Sequence, residues 1–246
     1  MAELGPQTLG QLALPVDLND GATFENFLPF GGNAQVIAAL HAQLNQFTHE
    51  VDAAKGVSEQ FIYLHGAAGC GKTHLLQAVA NADSAGSLYL PLADLQEFDP
   101  VAVLQQAERS RRICIDDLHA VAGDTAWEGA LFDFYNRARE ARCCLLIAAD
   151  VAPRALSLGL EDLRSRLSWG VVFQLEEPDD QAKADILALR GAARSMTLSP
   201  AVASYIVSRS PRQTGHLLAV LDLLSEASLV KKRAISVPFV KEVMGW

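Results

Sequence analysis

Apolar positions along the chain follow two different rhythms, and their alternation predicts the fold. Short apolar runs at 61–65, 87–92, 111–117, 143–150 and 170–175 are too brief for helices and read as strands. Their continuity, without the polar alternation of a half-exposed strand, predicts a parallel sheet buried on both faces. Between them lie stretches with helical spacing. Val36, Ile37, Leu40, Leu44 and Phe47 mark a helix over 34–48 with Asn33 as its N-cap, and further helices are expected at 101–109 and 126–142. Past Pro178 the strands stop, and helices are expected at 180–193, 199–208, 212–230 and 238–244. The expectation is an α/β core over 21–176 with a five-stranded parallel sheet sandwiched by helices, followed by a small all-helical domain over 177–246. The first twenty residues, punctuated by Gly5, Pro6, Gly10 and Pro15, read as an irregular tail outside that core.

The first strand leads straight into Gly66-x-x-x-x-Gly71-Lys72-Thr73 and then into the helical stretch 75–80. This is the spacing of a phosphate-binding loop. A polyphosphate needs several inward-pointing backbone N–H groups, hence small residues at Gly66, Gly69 and Gly71. Lys72 can reach the β- and γ-phosphates, the Thr73 hydroxyl can complete a Mg²⁺ shell, and the helix N-terminus faces the anion. Cys70 and His74 complete the contact stretch, which is read as nucleotide-binding throughout. Asp116 and Asp117 end the third strand at the sheet edge where α/β folds place ligands. Asp116 is the candidate for holding Mg²⁺ through water, and Asp117 either orients an attacking water or caps a turn. Asp150, ending the fourth strand, either senses the γ-phosphate or forms an Asx-turn before Pro153.

Composition narrows the partners. The 246 residues are 50% hydrophobic and 20% charged, with a net charge of -9 and pI near 5.1, which counts against an autonomous nucleic-acid binder. There is no basic-then-apolar leader and no apolar run long enough to span a bilayer, so a cytoplasmic protein with no membrane partner is expected. Cys70, Cys114, Cys143 and Cys144 lack zinc-ligand spacing and the histidines are scattered, so no metal is expected beyond nucleotide-bound Mg²⁺. Lys231, Lys232 and Arg233 end a helix, where cations complement its dipole.

Two further stretches carry candidate chemistry. Leu163 and Leu167, four apart, face the core of a short helical turn over 162–167, which sends Arg164 and Arg166 to opposite flanks. Only one of the two can address a given neighbour, and such an arginine can serve another subunit's γ-phosphate. In the tail, Gln11, Leu12, Leu14 and Pro15 either pack on their own domain or fill a partner's pocket as a short linear motif.

Taken jointly, these motifs resemble AAA+ ATPases: 66–73 as Walker A, Asp116-Asp117 as Walker B and Asp150 as sensor 1. The segment Thr23-Phe24-Glu25-Asn26-Phe27 with Asn33, and the segment 164–170 with Arg166 in the arginine-finger position, are similar to the initiator DnaA. DnaA's C-terminal DNA-binding and N-terminal helicase-contacting domains have no counterpart in the 246 residues, so the initiator itself is not expected. The stronger resemblance is to the Hda family, the DnaA-related regulatory inactivators, through the 11–15 motif, the AAA+ body and 238–242 near the C-terminus.

That resemblance implies a P-loop core with a helical lid, ADP (or ATP) with Mg²⁺, and weak or no ATP turnover alone. It implies clamp binding by Gln11, Leu12, Leu14 and Pro15, with DNA reached only indirectly through the sliding clamp (the polymerase β subunit). DnaA is the expected partner, its bound ATP hydrolysed with Arg166 supplied in trans so that replication initiation is inhibited, and a homo-oligomer is compatible. In one place the sequence departs from the pattern: Gly215 aligns with the lid's sensor 2 arginine, and Arg212, one turn earlier, is the candidate substitute. The competing expectation is an autonomous AAA+ ATPase, such as a helicase loader acting on single-stranded DNA.

Overall fold

The computed structural model describes residues 19, 21–45, 60–211 and 213–246. The tail residues Gln11, Leu12, Leu14 and Pro15, and Arg212, lie outside the described residues. In chain order the elements are α1 (Asn33–Asn45), β1 (Phe61–His65), α2 (Lys72–Ala82), β2 (Ser87–Pro91), α3 (Leu92–Leu95), α4 (Pro100–Val103), β3 (Arg112–Asp116), α5 (Thr125–Glu140), β4 (Cys144–Ala149), α6 (Glu161–Leu167) and β5 (Val171–Gln174). Four helices follow: α7 (Asp180–Ala193), α8 (Pro200–Arg209), α9 (Thr214–Lys231) and α10 (Val237–Met244).

The five strands form one parallel sheet in the order β2-β3-β4-β1-β5. Leu64 pairs with Ala148 on one side of β1 and with Phe173 on the other. Side chains alternate across the sheet. Phe61 and Tyr63 join Ile115 and Ile147 against Trp127, Leu131, Phe134 and Tyr135 of α5 and against Leu163 and Leu167 of α6. Ile62 and Leu64 face the other way, onto Leu75, Leu76 and Val79 of α2 and onto Val36 and Leu40 of α1. Burial on both faces accounts for the unbroken apolar runs of the four strands β1 to β4. The two edge strands differ: β2 is half-buried only at Ser87 and Leu88, whereas the residues of β5 alternate between half-buried and exposed.

Three of the four lid helices, α7, α8 and α10, start where side chains cap them. Asp179 accepts from Ala182 N–H at 2.7 Å, Ser199 from Val202 N–H at 3.3 Å and Ser236 from Phe239 N–H at 3.4 Å. Leu187, Ile206, Leu217, Leu221, Leu224, Phe239 and Val240 close a separate core. Lys231 and Arg233 both bind Glu242, at 2.6 and 2.8 Å, which joins α9 to α10.

Two local expectations are corrected. The helix expected over 101–109 is broken: α4 stops at Val103, Gln106 takes a left-handed conformation and 107–109 form a tight turn. Arg137 of α5 donates to the Leu104 carbonyl at 3.1 Å, a tertiary partner that competes with continued helix. Asn33 begins α1 rather than capping it from outside. It is fully buried, and its Oδ1 accepts the Glu176 N–H at 3.2 Å while Glu176 Oε1 accepts the Gly32 N–H at 3.1 Å. Those two bonds tie the N-terminal segment to the chain leaving the sheet for the lid.

Candidate nucleotide site and arginine face

The loops after β1, β3 and β4 emerge at the same edge of the sheet, and a cavity of about 400 Å³ opens there. That is large enough for a nucleotide. Its floor is the loop from Ala68 to His74, and Asp117, His119 and Asp150 line one wall. Asn26, Phe27, Leu28 and Phe30 close another side, and Pro178, Ile186, Arg190, Thr214, Gly215 and Leu218 cover it from the lid. The loop demands its glycines. Gly71 has φ 101°, and a Cβ there would lie 2.7 Å from the Phe27 ring. A Cβ on Gly66 would meet the Leu175 carbonyl oxygen at 2.6 Å.

Lys72 is buried at the start of α2, and its Nζ donates to the Gly66 and Ala67 carbonyls at 2.6 and 3.1 Å. The ammonium thus curls back over its own loop, where phosphate oxygens can take over as acceptors. Thr73 is exposed at the cavity. His74 donates from Nε2 to the Thr23 carbonyl at 2.9 Å, and burial lowers its pKa so that the ring is neutral. Cys70 is buried and its thiol is pushed up by that burial, which leaves it inert.

Asp116 and Asp117 occupy different layers. Asp116 is fully buried; its Oδ2 accepts the Tyr89 hydroxyl and its Oδ1 the Asp117 N–H, both at 2.9 Å. Asp117 adopts a left-handed conformation with φ 52° and stands on the cavity wall, its carboxyl raised by burial and by the charge of Asp116. Asp150 also lines the cavity, 3.8 Å from His119 Nδ1. Among the described residues no three His, Cys, Asp or Glu side chains cluster as a metal site of their own. The donors do fit a Mg²⁺ that keeps water and phosphate oxygens as most of its shell. Thr73 and Asp117 would face such an ion, with Asp116 one layer behind.

Away from the cavity, α6 presents its arginines as the Leu163–Leu167 stripe requires. Arg164 is tied down by Glu161 and by the Leu158 carbonyl. Arg166 is held differently. Its guanidinium lies over the Phe132 ring at 5.3 Å and the Trp169 ring at 4.7 Å, and Arg139 shares the Trp169 ring at 5.5 Å. Trp169 is 51% exposed. Arg166 does not line the cavity of its own chain. Beneath this face the buried Glu128 accepts N–H bonds from Gly123 at 2.8 Å, Gly159 at 3.0 Å and Leu160 at 2.7 Å, fixing the turn that leads into α6.

A family model described as Hda, lid domain, matches residues 180–244. An uncharacterized protein of Haemophilus influenzae is 37% identical over 238 residues, 95% of this chain and 98% of that relative. The lid, residues 180–244, belongs to the Hda lid-domain family, and the whole chain has the AAA+ fold of DnaA domain III. Solved structures agree on the fold. Domain III of the Thermotoga maritima replication initiation protein DnaA superposes with a TM-score of 0.74 at 23% identity, over 94% of this chain and 98% of that one. AMPPCP-bound DnaA from Aquifex aeolicus gives 0.67 at 20% identity, over 84% of this chain and 66% of that one.

Within this Hda-like fold the cavity gathers Gly69, Cys70, Gly71, Lys72, Thr73, His74, Asp117 and Asp150, with Gly66 forming the start of the loop and Asp116 lying behind the wall. Gly215 faces open space, with nothing within 4 Å of a Cβ there, and its neighbour Thr214 is 3.4 Å from a Cβ placed on Gly69. Three residues escaped sequence reasoning. His119 and Glu128 carry no motif. Arg190 left a faint signal, four residues after Ile186 on the first lid helix and therefore on the same face. No helix among the described residues is long and apolar enough to cross a membrane.

Proposed function

We propose that this chain is a DnaA-related regulator of replication that binds an adenine nucleotide in its own cavity and lends Arg166 to ATP held by DnaA. One observation carries the reading: the Arg166 guanidinium is held by two ring faces, outside its own cavity, and among the described residues no carboxylate is within ion-pair distance. Stacking fixes the guanidinium plane and leaves its edge N–H donors free, which is what a phosphoryl group requires.

In this mechanism the glycine-rich loop, Lys72 and the α2 N-terminus hold the polyphosphate of the chain's own ADP or ATP. A Mg²⁺ bound there would neutralise phosphate charge and orient its oxygens. Arg166 reaches the neighbour's γ-phosphate and stabilises charge developing on it, a contribution on the order of 10³–10⁵ in rate. The tail residues Gln11, Leu12, Leu14 and Pro15 dock on the sliding clamp, which brings the chain to DNA without contacting it directly.

Two assays run side by side test this. The chain alone, with Mg·ATP and with or without single-stranded DNA, is expected to turn over little ATP, while DnaA-bound ATP is hydrolysed rapidly when the chain and DNA-loaded clamp are added. Robust DNA-stimulated turnover by the chain alone, with no effect on DnaA, would instead establish an autonomous ATPase of the helicase-loader kind.

A further inference from the structure

The lid brings a cation into the nucleotide cavity at a place the motifs do not mark. Ile186 and Arg190 lie one turn apart on α7, and both line the cavity. Arg190 is half-buried, and its Nε is fully enclosed with no hydrogen-bond partner among the described residues. The acid beside it is already engaged: Asp222 accepts from Arg194 at 2.6 Å. A guanidinium N–H that loses water without gaining an acceptor is costly to keep. The cost is offset once an anion fills the cavity.

We propose that Arg190 is a lid contact to the nucleotide, donating to the proximal phosphates rather than to the terminal one. The inference rests on the nucleotide reading of the cavity given above. The position along the polyphosphate follows from the neighbours. Arg190 and His74 line the same cavity, and residues at the start of the α2 helix flank the α- and β-phosphates in a P-loop while the lysine reaches outward. At the start of α9, Thr214 lies against Gly69 of the phosphate loop and Gly215 contributes no side chain. Arg190 therefore joins lid to core when either a diphosphate or a triphosphate is bound, and it does not distinguish the two. Burial and the adjacent Arg194 lower its pKa, and the nearby Asp222 offsets them only in part.

The test uses the full chain with Arg190→Ala and Arg190→Lys, titrated with Mg·ADP, Mg·ATP and adenosine. Arg190→Ala is expected to weaken ADP and ATP by the same factor, about 10- to 100-fold for a lost charge-assisted contact. Adenosine affinity should be unchanged, the nucleotide-free melting temperature should not fall, and Arg190→Lys should recover part of the loss. Unchanged ADP affinity in Arg190→Ala overturns the proposal. So does an equal loss for adenosine, which would put the contact on base or ribose, or a loss confined to ATP, which would put it on the terminal phosphate. Should the unaltered chain bind no adenine nucleotide, the reading of the cavity itself fails, a result separable from failure at Arg190 alone.

Discussion

Two arginines show how partners decide a cation's work. Arg112, at the start of β3, is fully buried, and its guanidinium donates to Asp83 at 3.1 Å, to Ser87 Oγ at 3.3 Å and to the Gln43 carbonyl at 3.2 Å. Burial opposes the charge on Asp83, yet Arg111 and Arg112 together hold its carboxyl below the usual range. Arg166 has the same chemistry and the opposite setting. It is gripped through its plane by Phe132 and Trp169, so its edge donors remain available. In-plane partners consume a guanidinium and make it structural, whereas ring faces orient it without consuming it.

The comparison can be broken in stages. Arg112→Ala leaves Asp83 and the Gln43 carbonyl without their buried partner and should cost about 3–5 kcal/mol in chemical denaturation. A loss under 1 kcal/mol would remove the contrast with Arg166. Glu128→Gln turns an amide N–H toward one of three backbone N–H groups and should cost about 1–3 kcal/mol. It should also reduce stimulation of DnaA-bound ATP hydrolysis, because the turn into α6 loosens; full stimulation would show that Arg166 does not depend on that turn. Trp169→Ala removes one of the two rings and should weaken the action of Arg166 by roughly 2- to 30-fold, the worth of about 0.5–2 kcal/mol of cation–π contact. Trp169→Phe should restore most of it, and equal loss in both variants would argue for a docking role.

The smallest effect concerns pH. His74 is kept neutral by burial, while the unfolded chain takes up that proton near pH 6.5. As pH falls below about 6.5 the unfolded state binds more protons than the folded one, so stability declines. Above that pH the difference vanishes. Melting temperatures from pH 7.5 to 5.5 should fall more steeply for the unaltered chain than for His74→Gln, and parallel slopes would contradict this.

Much of this was legible in the sequence because the deciding interactions are local. Four strands buried on both faces announce themselves as apolar runs, and α7 begins at Asp180 and ends at Ala193 as its spacing and cap indicate. The phosphate loop is legible because its glycines answer a backbone requirement. What escaped is set by partners distant in sequence. The break after Val103 depends on Arg137, and Asn33 is buried against Glu176 instead of capping from outside. Arg190 looks like any helix arginine until the lid folds over the cavity. The order of Asp116 and Asp117 was also hidden, since adjacent carboxylates at a strand end give no sign of which lies behind the wall.

The most direct measurement is the rate at which DnaA-bound ATP is hydrolysed on clamp-loaded DNA with Arg166→Ala in place of the unaltered chain. The account predicts stimulation lost by about 10³-fold or more, with nucleotide affinity and melting temperature unchanged. Stimulation at the unaltered rate would contradict it.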